Sequence, residues 1–338
     1  MRTASSATVP DPTPIVELTT AYWSSQALFA ANRIGLFEAL GDATLSAEAV
    51  ADKLGTDPRA TGLLLNACAS LGLIEKTDGQ FYCSKLGRAF LLPGTQTYMG
   101  DAIRYCDDLY STWGQLEQSI RAGEPALTEA SYLGDDPQRT RNFVYGMHNR
   151  ALGIGQALVG LVDLGHCKTL LDVGGGPGTY SALFAARYPS LVAKVLELPG
   201  VIPVAREILT KMPAGDRVDM VEGNYKTAAF PSPVQAVLMS GMFHRETERQ
   251  CRDLIAKADA ALEAGGRMVI CDIFADAGGA SPAFAALFGL TMLLTAPDGT
   301  VHADADVATW MREQGLESVE ILYFPPPMPH RVVTGLKQ

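Results

Sequence analysis

From residue 168 onward, short apolar runs alternate with amphipathic ones, and the first junction between them is a glycine-rich turn, "LLDVGGGPGTYSALF". That alternation constrains the fold more than any other feature of the chain. A strand that feeds a helix and is followed by another strand closes a right-handed crossover and builds a parallel sheet. "KTLLDVGG", "AKVLELPG", "RVDMVEGNY", "VQAVLMSGMF" and "RMVICDIFA" read as strands. "TYSALFAARYP", "VIPVAREILTKM" and "RETERQCRDLIAKADAALEAGG" read as the helices between them. A last helix in "DADVATWMREQGL" precedes two paired strands, "ESVEILYFPPP" and "HRVVTGLK". The expected class is α/β, with a doubly wound sheet that is parallel in its main part.

The first hundred residues have a different texture. Helical spacing over 15–40 ends at Gly41, and Ser46 caps a short helix that stops at Leu54-Gly55. Asp57 caps a second helix, with Pro58 in its first turn. Asp78-Gly79 then marks a hairpin between two strand-like pieces. Helix, turn, helix and a two-stranded wing form a winged-helix pattern. Read as a DNA-binding module it lacks cations, since Arg59 is the one basic residue between Asp57 and Leu73. A domain whose apolar helices pack on a second subunit fits better. Trp23 and Phe29 are interface or core candidates in it.

Four segments follow: a disordered lead-in over 1–14, a winged-helix-like domain over 15–100, a helical linker over 101–165, and the α/β domain over 166–338. The net charge of −10 argues against a nucleic-acid partner. The longest apolar stretch, "ASPAFAALFGLTMLLTA", is short of a membrane span, and the N-terminus lacks the apolar core of a signal peptide. Six cysteines without C-x-x-C spacing and five dispersed histidines predict free thiols, no metal site and a reducing cytoplasm.

The glycine loop carries the first chemistry. Gly174, Gly176 and Gly178 stand where a backbone approaches a ligand at a helix N-terminus. Their spacing is neither the full dinucleotide fingerprint nor a P-loop. Asp172 ends the strand just before them, where a dinucleotide would place its pyrophosphate, so a cationic ligand suits it better. Glu197 ends the next strand, at the distance used to hold ribose hydroxyls. An ammonium, a sulfonium and a ribose together describe S-adenosylmethionine. On position alone His244, in "LMSGMFHRETE", reads first as a polar residue at a helix start and only second as a base, and Asp272 as a cap or its partner.

"LLDVGGGPG", "KVLELPGV", "VEGNY", "VLMSGMFHRE" and "EAGGRMVICDIF" resemble, in order, the motifs of class I S-adenosylmethionine-dependent methyltransferases. The nearer resemblance is to the plant caffeic acid and hydroxyindole O-methyltransferases and their bacterial relatives, and it runs from about Ile15 to the C-terminus. It implies a Rossmann-like methyltransferase sheet and a homodimer formed through the N-terminal domain. It also implies that Gly174 and its neighbours approach the methionine moiety, with Glu197 and Leu198 at the ribose. Asn224 and Tyr225 would flank the adenine, and Ser240 stands where plant members often carry a lysine. His244 matches the family's base and Asp272 a carboxylate that positions it. Phe143, Met147 and Met292 match positions that contact an aromatic acceptor; His148 and His302 are not assigned to it.

Two departures stand out. The second carboxylate falls at Val301 or His302, and the common His-Asp-Trp reads His244-Arg245-Glu246. The implied activity is methyl transfer to a hydroxyl of an aromatic or polyketide-like molecule, yielding S-adenosylhomocysteine. The alternatives are a carbon methyltransferase on an aromatic or tetrapyrrole-like acceptor, an atypical user of the same cofactor, and a winged-helix regulator.

Overall fold

The caps read from the sequence frame the N-terminal unit. In the computed structural model, which describes residues 10–338, three helices open the chain: α1 (Thr13–Thr20), α2 (Tyr22–Arg33) and α3 (Leu36–Leu40). The helical stretch expected over 15–40 is therefore broken, at Gly35, whose φ of 77° is left-handed. Of the lead-in expected over 1–14, residues 1–9 lie outside the described residues, and the first helix already begins at Thr13.

Ser46 accepts the Ala49 N–H at 3.2 Å to start α4 (Ala47–Leu54), and Asp57 accepts the Ala60 N–H at 2.8 Å to start α5 (Pro58–Ser70). The wing follows as β1 (Ile74–Thr77) and β2 (Gln80–Cys83). Asp78 and Gly79 both have positive φ, as a two-residue hairpin turn requires. Leu36, Phe37, Leu65, Ile74 and Phe81 form the core of this unit, with Phe29 packed against it. By contrast α1 buries no residue, and Leu18 and Trp23 are 75% and 62% exposed.

After α6 (Lys85–Phe90), α7 (Gly100–Trp113) leads from the first compact unit, which ends at Arg104, into the second. Here α8 (Leu116–Ala122) and α9 (Pro137–Leu161) precede the sheet. The alternation then runs β3 (Thr169–Val173), α10 (Thr179–Arg187), β4 (Val192–Glu197), α11 (Ile202–Leu209) and β5 (Val218–Glu222). It continues with β6 (Val234–Ser240), α12 (Glu248–Ala261), β7 (Leu262–Ile273), α13 (Ala283–Thr295) and α14 (Asp304–Glu313), closing on β8 (Glu317–Tyr323) and β9 (His330–Leu336).

The seven strands lie in the order β5-β4-β3-β6-β7-β9-β8. The first five are mutually parallel, and β9 runs antiparallel to both β7 and β8. One expected boundary moves. The helix read through Gly266 ends at Ala261, and strand geometry begins at Leu262, which pairs with Val234. A Cβ at Gly266 would lie 2.8 Å from the Glu263 carbonyl oxygen and 3.1 Å from that of Gln235, so this position needs glycine, while Gly265 beside it has a left-handed φ of 76°.

Both faces of the sheet are covered. Leu171, Val237 and Met268 point to one face, where Leu254 of α12 and Met311 of α14 share their core. Leu170, Ala236, Leu238 and Val269 point to the other, beneath Leu158 of α9 and Phe184 of α10. That is why these strands read as unbroken apolar runs. The strand order reverses between β3 and β6, and the crevice outside their carboxyl ends is where such sheets bind ligands. No helix among the described residues is long and apolar enough to cross a membrane.

Candidate active site

The turn after β3 is held by its neighbours. Gly174 and Gly176 have φ of 63° and 54°. Glu197, at the end of β4, accepts the Gly176 N–H at 2.8 Å on one carboxyl oxygen and the Leu198 N–H at 2.7 Å on the other. The acid expected to hold a ribose therefore also pins the loop. Burial raises its pKa, and the two N–H bonds work against that rise. Each oxygen keeps a lone pair, so a diol could still donate to it.

Asp172 is fully buried beside this turn. Its Oδ2 accepts the Ser181 hydroxyl at 2.8 Å, whereas Oδ1 is buried with no hydrogen-bond partner. Burial pushes its pKa up to about 7, against the Ser181 bond, and the Glu197 charge adds to the rise. A Cβ at Gly175 would lie 2.4 Å from the Asp172 carboxyl carbon, so this position admits only glycine. A buried carboxylate with an open oxygen is a poor place for phosphate and a good one for an ammonium or sulfonium. The residues present fit S-adenosylmethionine on that ground.

The other predicted cofactor residues surround the same turn. Tyr225 stands beside Gly174, where an added Cβ would meet its ring at 3.4 Å. Its hydroxyl donates to Glu246 Oε1 at 2.7 Å, and Lys226 pairs with the same oxygen at 2.9 Å. Glu246 is fully buried, so the departure from the usual motif installs a carboxylate that orients Tyr225. Asn224 is exposed, and its side-chain oxygen accepts the Lys226 N–H at 2.9 Å within a turn. Ser240 ends β6 beside Tyr180 and Cys271.

His244 lies four residues beyond β6, in a 3-10 turn over Phe243–Arg245 that brings its ring back over β7. Its Nδ1 is 2.6 Å from Asp272 Oδ1, and the side chain is 11% exposed. Asp272 is buried and surrounded by donors: the backbone N–H groups of Phe243, His244 and Ile273 reach it at 2.9, 3.3 and 2.7 Å. Burial would raise its pKa, but the His244 imidazole and the N–H bonds outweigh that and hold it below the usual value. An ionised Asp272 can only accept, so Nδ1 must carry the hydrogen and Nε2 is left as the basic nitrogen. The Phe288 ring meets the imidazole edge-on, 4.8 Å between centroids.

Of the acceptor-side residues, Phe143 packs on the rings of Tyr105 and Tyr132 at 5.4 and 5.2 Å, and Met147 lies one turn along the same helix. Met292 is buried on α13, one turn after Phe288. His148 turns to the glycine-loop helix, its Nδ1 2.8 Å from the Thr179 hydroxyl, and burial lowers its pKa to about 4. At the position of the missing carboxylate, Val301 packs with Phe288 and Ile273, and His302 Nε2 lies 2.9 Å from the Glu246 carbonyl oxygen. Sequence reasoning passed over Phe288, Tyr105, Tyr132, Ser181 and the part played by Glu246. Phe288 was reachable, being one helical turn before Met292; the others depend on contacts between distant segments.

The O-methyltransferase domain matches residues 113–317 and the O-methyltransferase dimerisation domain residues 16–92. The chain is 29% identical over 330 residues to 3-hydroxy-5-methyl-1-naphthoate 3-O-methyltransferase from Streptomyces sahachiroi, covering 96% of this chain and 95% of the relative. It is 28% identical over 313 residues to the tetracenomycin polyketide synthesis 8-O-methyltransferase of Streptomyces glaucescens, covering 91% and 92%. The crystal structure of the S-adenosylmethionine-dependent methyltransferase SibL, in its apo form, matches with a TM-score of 0.76 at 30% identity over 97% of this chain and 99% of that one. A doubly wound sheet with a glycine turn and two buried acids at its switch point is the architecture of a transferase that takes a nucleoside cofactor. More narrowly, the chain belongs to the S-adenosylmethionine-dependent O-methyltransferase family.

Proposed function

We propose that the protein methylates a hydroxyl of an aromatic or polyketide-like small molecule, with His244 as general base and Asp272 as its positioning residue. The observation that carries this reading is the 2.6 Å contact between His244 Nδ1 and a buried, ionised Asp272. S-adenosylmethionine, when bound, supplies an activated methyl group and an uncharged leaving group. What remains for the protein is to align the acceptor and remove its proton. Nε2 of His244 takes that proton, and the Asp272 carboxylate stabilises the imidazolium that results. Asp172 would hold a cationic part of the cofactor, Glu197 the ribose, and Leu198 and Ser240 its surroundings. Asn224 and Tyr225 would border the adenine. Phe143, Met147 and Met292 would line the acceptor side and exclude water from it.

Two observations support the acceptor class: the aromatic rings gathered around Phe143 and Phe288, and relatives named for hydroxylated aromatic and polyketide substrates. Incubation with methyl-labelled S-adenosylmethionine and a panel of phenols should place the label on oxygen. Label appearing only on carbon or nitrogen would overturn the assignment. The active form is a homodimer built on the N-terminal unit, where α1 buries none of its residues and Trp23 is largely exposed, an apolar surface suited to a second copy. Sedimentation equilibrium should return twice the mass of the chain, and Trp23→Asp combined with Leu18→Asp should return one.

A further inference from the structure

The face of α9 that carries Phe143 and Met147 also carries a cation that the methyl-transfer chemistry does not need. Phe143, Met147 and Arg150 follow one another at i, i+4 and i+7 along α9 and so share one face of that helix. The neighbouring face turns elsewhere: Arg141 and Tyr145 both bind Glu207 of α11, at 2.7 and 2.6 Å.

Arg150 is half-buried, and its nearest partners are neutral. Its Nη2 donates to the Cys106 thiol at 2.8 Å, and its guanidinium lies 5.3 Å from the centre of the Tyr105 ring, the ring that packs on Phe143. Burial keeps the Tyr105 hydroxyl protonated by raising its pKa. Among the described residues no carboxylate forms an ion pair with Arg150, although the chain has 37 acidic residues to 27 lysines and arginines.

The catalytic pair is within electrostatic reach. His330 feels Asp272, His244 and Arg150 together, and burial lowers its own pKa to about 4, so it neither shares nor cancels the Arg150 charge. Arg245, which follows His244, donates at 2.7 Å to the hydroxyl of Tyr132, the second ring that packs on Phe143. A partly buried guanidinium that lies over an aromatic ring without an ion-pair partner is left with charge that a ligand can satisfy.

We propose that the acceptor carries a carboxylate beside its aromatic hydroxyl, and that Arg150 is the specificity-determining residue that binds it. The planar fork of the guanidinium matches a carboxylate with two parallel hydrogen bonds, while the ring of the same ligand lies against Phe143 and Met147. The face that selects an aromatic ring thereby also selects its acidic substituent. This inference rests on the acceptor side of the proposed function but not on its chemistry, so a binding measurement separates the two.

The test is calorimetric titration of the protein saturated with S-adenosylhomocysteine, using 3-hydroxy-2-naphthoate and its uncharged isostere 3-hydroxy-2-naphthamide. The wild type should bind the acid about 10- to 100-fold more tightly than the amide, the range expected for charge-assisted hydrogen bonds in a partly desolvated site. Arg150→Met should bring that ratio to about one, and Arg150→Lys should restore part of it as a point charge without the fork. Equal affinity for the two probes in the wild type, no binding of either, or a ratio that survives Arg150→Met would overturn the proposal. The ratio is the readout because a merely structural role for Arg150 would weaken both probes alike. A chain that shows the ratio and transfers no methyl would instead count against the proposed function.

Discussion

Replacing His244 by alanine is expected to lower kcat by about 10²- to 10⁴-fold, the range that general-base catalysis contributes, while S-adenosylhomocysteine still binds. The separation follows from the layout. The imidazole touches Asp272 and Phe288, whereas the acids that face the glycine loop are Asp172 and Glu197. With the ring gone, Asp272 keeps three backbone N–H donors and stays satisfied, so the turn at Phe243–Arg245 should hold. His244→Gln keeps most of the volume but offers no basic nitrogen, and it should be as slow as alanine. Steady-state kinetics with the best phenol from the labelling panel, beside a cofactor titration, gives both quantities. Turnover within a few-fold of wild type in either variant would remove His244 from the mechanism.

The second large effect concerns the buried acid under the glycine loop. Asp172→Asn is expected to weaken S-adenosylmethionine binding by about 10²- to 10³-fold, as truncation of one side of a buried charge pair commonly does. The same substitution should leave the ligand-free protein at least as heat-stable as wild type at pH 8. In the ligand-free fold the carboxyl pKa is raised to about 7 from 3.8, so the folded state holds its proton where the unfolded chain has lost it. Folded protein then binds more protons than unfolded protein between pH 4 and pH 7, and its stability falls as pH rises through that window. Asparagine has no charge to desolvate, which removes the loss. For the same reason, cofactor affinity in the wild type should decline as pH drops below about 7, because a cation needs the ionised acid. Thermal shifts with and without S-adenosylmethionine from pH 5 to pH 8 test both signs. A cofactor-induced shift that is flat with pH, or that persists undiminished in the asparagine variant, would show that Asp172 does not carry the cofactor's charge.

Much of the architecture was legible because it depends on local chemistry. Ser46, Asp57 and Asp78-Gly79 each act within three residues, so the helix starts and the hairpin could be read off directly. The strand–helix alternation depends on which faces are apolar, and a sheet covered on both sides writes that as continuous runs. Less legible were the break at Gly35 and the end of α12 at Ala261. A helical pattern runs through both positions, and what ends α12 is the pairing of Leu262 with Val234 on another strand. His244 and Asp272 could be nominated in sequence. Whether they meet depends on a 3-10 turn closing over the adjacent strand.

The amino-acid order by itself determined the fold class, the glycine loop and its two acids, and the residues that could serve as base and partner. It did so because periodicity, capping and turn chemistry act over a few residues. Only the tertiary structure decided that Asp172 keeps an unpartnered oxygen, that Glu197 pins the loop, that Glu246 orients Tyr225, and that Arg150 lies over the Tyr105 ring with no carboxylate partner among the described residues. Those facts concern desolvation and distances of a few ångströms between segments tens of residues apart. Burial and through-space charge exist only once the chain has closed on itself.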